Sequence, residues 1–208
     1  MARVTGPLFS IDASGTVGKT ITFTKWKGRN VVRQRVIPMN PKSALQTGTR
    51  AMFQYLTRVW AAIGGPAQAT WDDLAAGKAV SAFNAFVGEN LQRWQMNKTP
   101  AHAYPAAEEA TALTVTTQTL TGGVGHAQVD VTPSAATAIG GILVLRDTAE
   151  ITSFSWGKVV AVLPADGANK VNFTDSPLAP GTYHYRTAVF TNDGVMGELK
   201  TDETAVVS

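Results

Sequence analysis

The run Ala13-Ser14-Gly15-Thr16-Val17-Gly18-Lys19-Thr20 has the residue types of a loop that wraps nucleotide phosphates in backbone amides and a lysine. That chemistry needs a helix directly after the loop, because the free amides of the first helical turn supply much of the phosphate site. Here Ile21, Thr22, Phe23 and Thr24 alternate in the manner of a strand, and Ala13 stands where the first glycine belongs. The run therefore reads as a glycine turn leading into a strand. Other chemistry is as thinly provided for. The histidines His102, His126 and His184 have no paired spacing that would build a metal site. Asp72-Asp73 and Glu108-Glu109 are adjacent pairs whose side chains project in different directions, which does not suit a catalytic dyad. Without cysteine there is no thiolate nucleophile, thiolate metal site or disulfide, and no Gly-x-Ser-x-Gly elbow is present. The expectation is a chain that is not an enzyme and carries no cofactor or metal.

A second constellation is basic. Lys25, Lys27, Arg29, Arg33 and Arg35 share odd parity around Trp26, and equal parity within one strand means one face. Each arm of a hairpin here is expected to present its basic side chains on one side, with Trp26 on the other. Three uses fit: a solvated face that protects exposed sheet edges, a nucleic-acid contact, or docking onto an acidic protein, for which Trp and Arg are favoured anchors. These six residues are the candidate partner interface.

The elements that must position them follow from the periodicity. Residues 19–37 predict a β-hairpin turning at Lys27-Gly28-Arg29-Asn30. Asn40-Pro41 signals a helix start, and Leu45, Met52, Phe53, Leu56, Val59, Trp60 and Ile63 recur on one stripe until Gly64-Gly65-Pro66. Thr70 before Trp71-Asp72-Asp73-Leu74 predicts a second helix start, and Phe83, Phe86, Val87, Asn90, Leu91 and Trp94 a third helix. After the prolines of residues 98–105 the period becomes that of strands. Seven candidates, at 113–120, 124–131, 139–146, 158–163, 170–174, 182–191 and 203–207, predict an immunoglobulin-like sandwich.

Hydrophobic content of 44% against 16% charged residues fits an ordered chain. The apolar runs Ile142 to Leu145 and Val159 to Leu163 are too short to cross a bilayer, and the opening residues lack a signal-peptide core, so a soluble chain with no membrane partner is expected. Residues 1–105 carry 13 Lys/Arg against 4 Asp/Glu, and residues 106–208 carry 5 against 11. Charge, period and prolines together predict two modules: an α+β module at 1–105, a basic hairpin with about three helices, and an all-β immunoglobulin-like sandwich at 106–208. The acidic half can attract the basic half of another copy.

The segment Leu178-Ala179-Pro180-Gly181-Thr182-Tyr183-His184-Tyr185, continuing to Val189 and Asn192-Asp193-Gly194, resembles the penultimate strand and final turn of fibronectin type III domains. Tyr183 and Tyr185 flank the usual aromatic position, which leaves both as candidates for the corner hydrogen bond. Ser14-Gly15-Thr16-Val17-Gly18, Trp26-Lys27-Gly28-Arg29, Arg33, Asn40-Pro41-Lys42-Ser43 with Gln46, Trp71 and Phe83-Asn84-Ala85-Phe86 are similar to a recurrent type of tailed-bacteriophage structural protein. That resemblance implies a virion protein made in the bacterial cytoplasm, whose partners are other virion proteins and copies of itself. The expected role is capsid decoration or head association, with the basic module as anchor and the sandwich displayed. The alternatives are a neck, tail or fibre-associated adsorption component, and, from another class, a bacterial nucleic-acid- or surface-binding protein.

Overall fold

The computed structural model describes residues 2–3, 14–37, 43–107, 113–134, 139–165 and 169–208. The chain divides into two compact units, Met1–Pro41 and Lys42–Ser208.

The first unit is an antiparallel four-stranded sheet, ordered β1-β4-β3-β2, from β1 (Ala2–Arg3), β2 (Gly15–Val17), β3 (Ile21–Trp26) and β4 (Arg29–Gln34). Gly18-Lys19-Thr20 turns β2 into β3, with the Thr20 amide donating to the Val17 carbonyl at 3.2 Å. The glycine-rich run thus leads into a strand and not a helix. β3 and β4 are joined by Lys27-Gly28, whose φ angles of 49° and 75° are the left-handed pair that a two-residue hairpin turn requires. The turn is shorter than the four residues expected. Among the described residues of this unit, Val31 is the one buried apolar side chain, at 8% exposure.

The second unit holds α1 (Ala44–Ala62), α2 (Gly65–Ala75), α3 (Ala82–Gln95) and strands β5 (Val115–Gly123), β6 (His126–Pro133), β7 (Ile139–Asp147), β8 (Val159–Leu163), β9 (Val171–Asp175), β10 (Gly181–Thr191) and β11 (Glu203–Val207). The expected start of α1 at Asn40-Pro41 lies outside the described residues. α2 starts earlier than expected: Gly64-Gly65-Pro66 ends one helix and opens the next, with proline in the first turn where no amide donor is needed, so Thr70 to Leu74 falls inside the helix. Ser81 caps α3 by accepting the Asn84 amide at 3.3 Å. Along α1 the buried stripe runs through Met52, Tyr55, Leu56 and Val59, while Leu45 and Phe53, expected inside, are 53% and 46% exposed.

The strands pair antiparallel into two sheets, β11-β10-β7-β8 and β5-β6-β9, giving a mixed α+β unit built on an immunoglobulin-like sandwich. Between the sheets lie Val129, Val131, Ile142, Val144, Tyr185 and Val189. At the corner it is Tyr183 whose hydroxyl donates back to the Ala179 carbonyl, at 3.0 Å. Tyr185 points inward and donates to Asp175 Oδ2 at 3.0 Å, where Arg146 Nη1 also donates to both carboxylate oxygens.

The boundary expected near residue 105 is not where the chain divides. Leu143, Leu145 and Phe190 on the outer face of the four-stranded sheet form one core with Leu56 of α1, Trp71 of α2 and Phe86 of α3. β7 is therefore buried on both faces, Ile142 and Val144 toward the sandwich and Leu143 and Leu145 toward the helices. Gly48 lets α1 come close: a Cβ there would sit 2.6 Å from the Trp156 carbonyl oxygen. The proline-containing segment is pinned rather than hinged. The Asn90 side chain pairs with both the amide and the carbonyl of Ala101, and Arg93 Nε donates to the Thr99 carbonyl. Thr99 Oγ1 donates to the Gly194 carbonyl, and the His102 amide to the Asn192 carbonyl. Helices and sandwich thus make three layers of one unit, and the division falls at 41/42.

Candidate functional site

The register of the hairpin decides which side chains share a face. Trp26 pairs with Arg29, Thr24 with Val31 and Thr22 with Arg33, while Lys25 pairs with Asn30, Phe23 with Val32 and Ile21 with Gln34. Residues directly opposite in an antiparallel pair project to the same side. Across a two-residue turn the partners have opposite parity, so odd positions on one arm share a face with even positions on the other. The expectation drawn from parity alone is corrected accordingly. Trp26, Arg29 and Arg33 lie on one face, with Thr22, Thr24 and the buried Val31, the Thr24–Val31 pair standing between the Trp26–Arg29 pair and Arg33. Lys25 lies on the other, with Ile21, Phe23 and Val32.

The Trp26 face is built for contact. The indole is 60% exposed, and the Lys27 ammonium lies 4.9 Å from its ring centroid, within cation–π range. Arg29 and Arg33 are exposed, and so are Lys27 in the turn and Arg35 just past β4, whose amide donates to the Thr20 carbonyl at 2.6 Å. The opposite face carries Ile21, 44% exposed, and the half-buried Phe23 and Val32. Residues 1–41 hold seven Lys/Arg against one acidic residue, so the basic charge of the chain is concentrated in this unit. A flat aromatic ring on a face that also carries two guanidinium groups suits carboxylate-bearing or phosphate-bearing surfaces, since arginine pairs such groups through two parallel hydrogen bonds.

The second unit contains a cavity of about 490 Å³ between the end of α1, the segment after α3, the start of β7 and the turn after β10. His102, Asn192 and Asp193 are its polar lining. The Tyr55 hydroxyl donates to the Gly140 carbonyl at 2.6 Å and lies 3.2 Å from His102 Nε2. Trp71 Nε1 donates to the His102 carbonyl at 2.8 Å. Burial pushes the His102 imidazole down to about 4, against a smaller opposing pull from Asp193, and burial raises the Tyr55 hydroxyl above its ordinary value. His102, one of three histidines without metal-site spacing in the sequence, is held at its backbone and its ring. The pinning partners Trp71 and Asn192 lie 31 residues before it and 90 after, a separation that no local pattern reveals.

His184 Nδ1 contacts Asp202 Oδ2 at 2.6 Å, and His126 Nδ1 lies 3.0 Å from the Val124 carbonyl. Among the described residues no three His, Asp or Glu side chains are grouped to hold a metal ion, and no helix is long and apolar enough to cross a membrane.

No protein-family model matches this chain, and no curated protein does. Among solved structures it is similar to an Fn3-like protein from Clostridium thermocellum, with 19% identity over 48% of this chain and 96% of that one at a TM-score of 0.36. It is also similar to a family 76 glycoside hydrolase from a bovine Bacteroides thetaiotaomicron strain, with 16% identity and a TM-score of 0.38. That match covers 46% of this chain but only 20% of the hydrolase. The CARDB domain of the PF1109 protein from Pyrococcus furiosus is 13% identical over 49% of this chain and 98% of that one, at a TM-score of 0.23.

Proposed function

We propose that this chain is a non-enzymatic structural protein of a tailed-phage virion, a capsid decoration or head-associated component. Its basic N-terminal sheet docks on an acidic protein surface and displays the helix-backed, fibronectin type III-like sandwich. The observation that supports this reading most is the shared face of Trp26, Arg29 and Arg33. An exposed indole with an arginine directly opposite it and a lysine ammonium at its ring has the composition of an interface hot spot, and it lies in the unit that concentrates the positive charge. The motif resemblance of residues 14–86 to phage structural proteins supplies the setting.

The displayed part differs from a bare sandwich. Because α1 to α3 cover one sheet, the module is a three-layer body whose loops sit on a rigid frame, which suits presentation. Quantitative mass spectrometry of purified particles tests the role. Decoration predicts hundreds of copies per particle, a neck or tail component a handful, and absence from the particle would refute the reading.

A further inference from the structure

The cavity of the second unit has a composition that its packing does not require. Its walls include Val59, Ile63, Ala67, Ile139 and Pro164, an apolar lining of the size used for small organic ligands. His102, Asn192 and Asp193 can each accept a hydrogen bond there, and the Asn192 amide can also donate. The single Tyr55 hydroxyl proton goes to the Gly140 carbonyl, so in the contact with His102 the imidazole Nε2 must carry the hydrogen. That leaves Nδ1 as the ring's acceptor, and burial keeps the ring neutral. Asn192 Oδ1 is buried with no hydrogen-bond partner among the described residues. The Asp193 carboxylate forms no ion pair among them, and neither lysine nor arginine lines the space.

Two helix ends of opposite polarity meet at the cavity. Val59, Ala62 and Ile63 bring the carbonyl end of α1, whose last turn has no basic residue to offset its partial negative charge. The facing start of α2 has little to offer an anion. Pro66 has no amide hydrogen, and the amides of Ala67 and Gln68 both donate to the Gly64 carbonyl.

We infer that this cavity binds an ammonium group carried on a short apolar body, the ammonium against Asp193, His102 and Asn192 and the body against the apolar wall. A free aliphatic amine and a lysine side chain of another protein share this chemistry. Nothing in the inference depends on the docking role proposed for the first unit.

Titration of the full chain with n-hexylammonium tests it, read by NMR at the Trp71 indole N–H, which donates to His102, and at the Ile139 methyl groups. The expected result is saturable shifts at both, with binding weakened about tenfold or more in Asp193→Asn, as for loss of a charge-assisted hydrogen bond. Asp193 lies in a half-exposed turn, so this variant folds, and unchanged shifts elsewhere verify it. Hexanol binding as tightly as hexylammonium would overturn the inference, as would undiminished binding in Asp193→Asn or no shift at the lining residues. N-acetyl-lysine methylamide run alongside separates the two sources: tighter binding than hexylammonium assigns the site to a protein lysine, weaker binding to a free amine.

Discussion

Replacing Gly48 by alanine sets two effects of known sign against each other. Alanine in a helix interior is favoured over glycine by about 0.8–1 kcal/mol, so propensity alone predicts a more stable protein. The structure predicts the reverse. A Cβ at Gly48 meets the Trp156 carbonyl oxygen at 2.6 Å and the Val159 carbonyl oxygen at 3.2 Å. Both are backbone atoms, one in the 3-10 turn Trp156–Lys158 that leads into β8 and one at the first residue of β8, and cannot swing aside as a side chain would. Relief requires α1 to move off the sheet, and overpacking of this kind typically costs about 1–3 kcal/mol. The expected net lies between about zero and a loss of about 2 kcal/mol, with a drop in melting temperature of roughly 2–4 °C per kcal/mol for a unit of this size. Gly88 in α3 is the internal control, since a Cβ there meets nothing within 4 Å. Gly88→Ala should stabilise by about 0.5–1 kcal/mol. Urea unfolding followed by circular dichroism and tryptophan fluorescence measures both. If Gly48→Ala stabilises as Gly88→Ala does, α1 does not lie against β8 and the three-layer unit is wrong.

Leu143→Ala and Val144→Ala open opposite faces of β7, and Leu143→Ala should cost about 2–5 kcal/mol. In both variants helix and sandwich signals should still lose structure in one coincident transition, and separate transitions would restore a boundary near 105. Tyr185→Phe, which removes a hydrogen bond to the buried Asp175 carboxylate, should cost about 1.5–3 kcal/mol. Tyr183→Phe, losing only a bond to a backbone carbonyl, should cost about 0.5–1.5 kcal/mol, and equal losses in denaturation would contradict the assignment of the corner. The folded state holds His102 down from 6.5 to about 4, so it binds fewer protons than the unfolded chain between these values. Stability from this group is present above pH 6.5 and is lost as the pH falls toward 4. Denaturation midpoints at pH 7 and pH 5 should therefore differ less in His102→Gln than in the native chain.

The strands and helices of this protein are largely legible in its sequence, because alternation and three-to-four-residue recurrence are local. The domain organisation is less so. A charge reversal and two prolines near residue 105 mark the change from helices to strands, but whether layers share a core depends on contacts such as Leu143 with the helices, far apart in sequence. The signal that a second layer covers the sheet was present in the unbroken apolar run Ile142 to Leu145, since a strand open to water on one face would alternate. At the candidate site the residue types were readable and their faces were not. Parity orders side chains within one strand, whereas the length of the turn decides which parities meet across the hairpin. Lys27-Gly28 as a two-residue turn puts Trp26 opposite Arg29 and on the same face as Arg33, and sends Lys25 to the other side.

That difference between faces provides the most direct test of the docking proposal. Trp26→Ser with Arg33→Glu alters one face, and Phe23→Thr with Lys25→Glu alters the other. Incorporation of each full-length variant into phage particles, counted per particle and challenged with rising salt, compares them directly. The account predicts that the Trp26/Arg33 variant is lost from particles while the Phe23/Lys25 variant is retained. Equal retention of both, or loss of only the second, would contradict it.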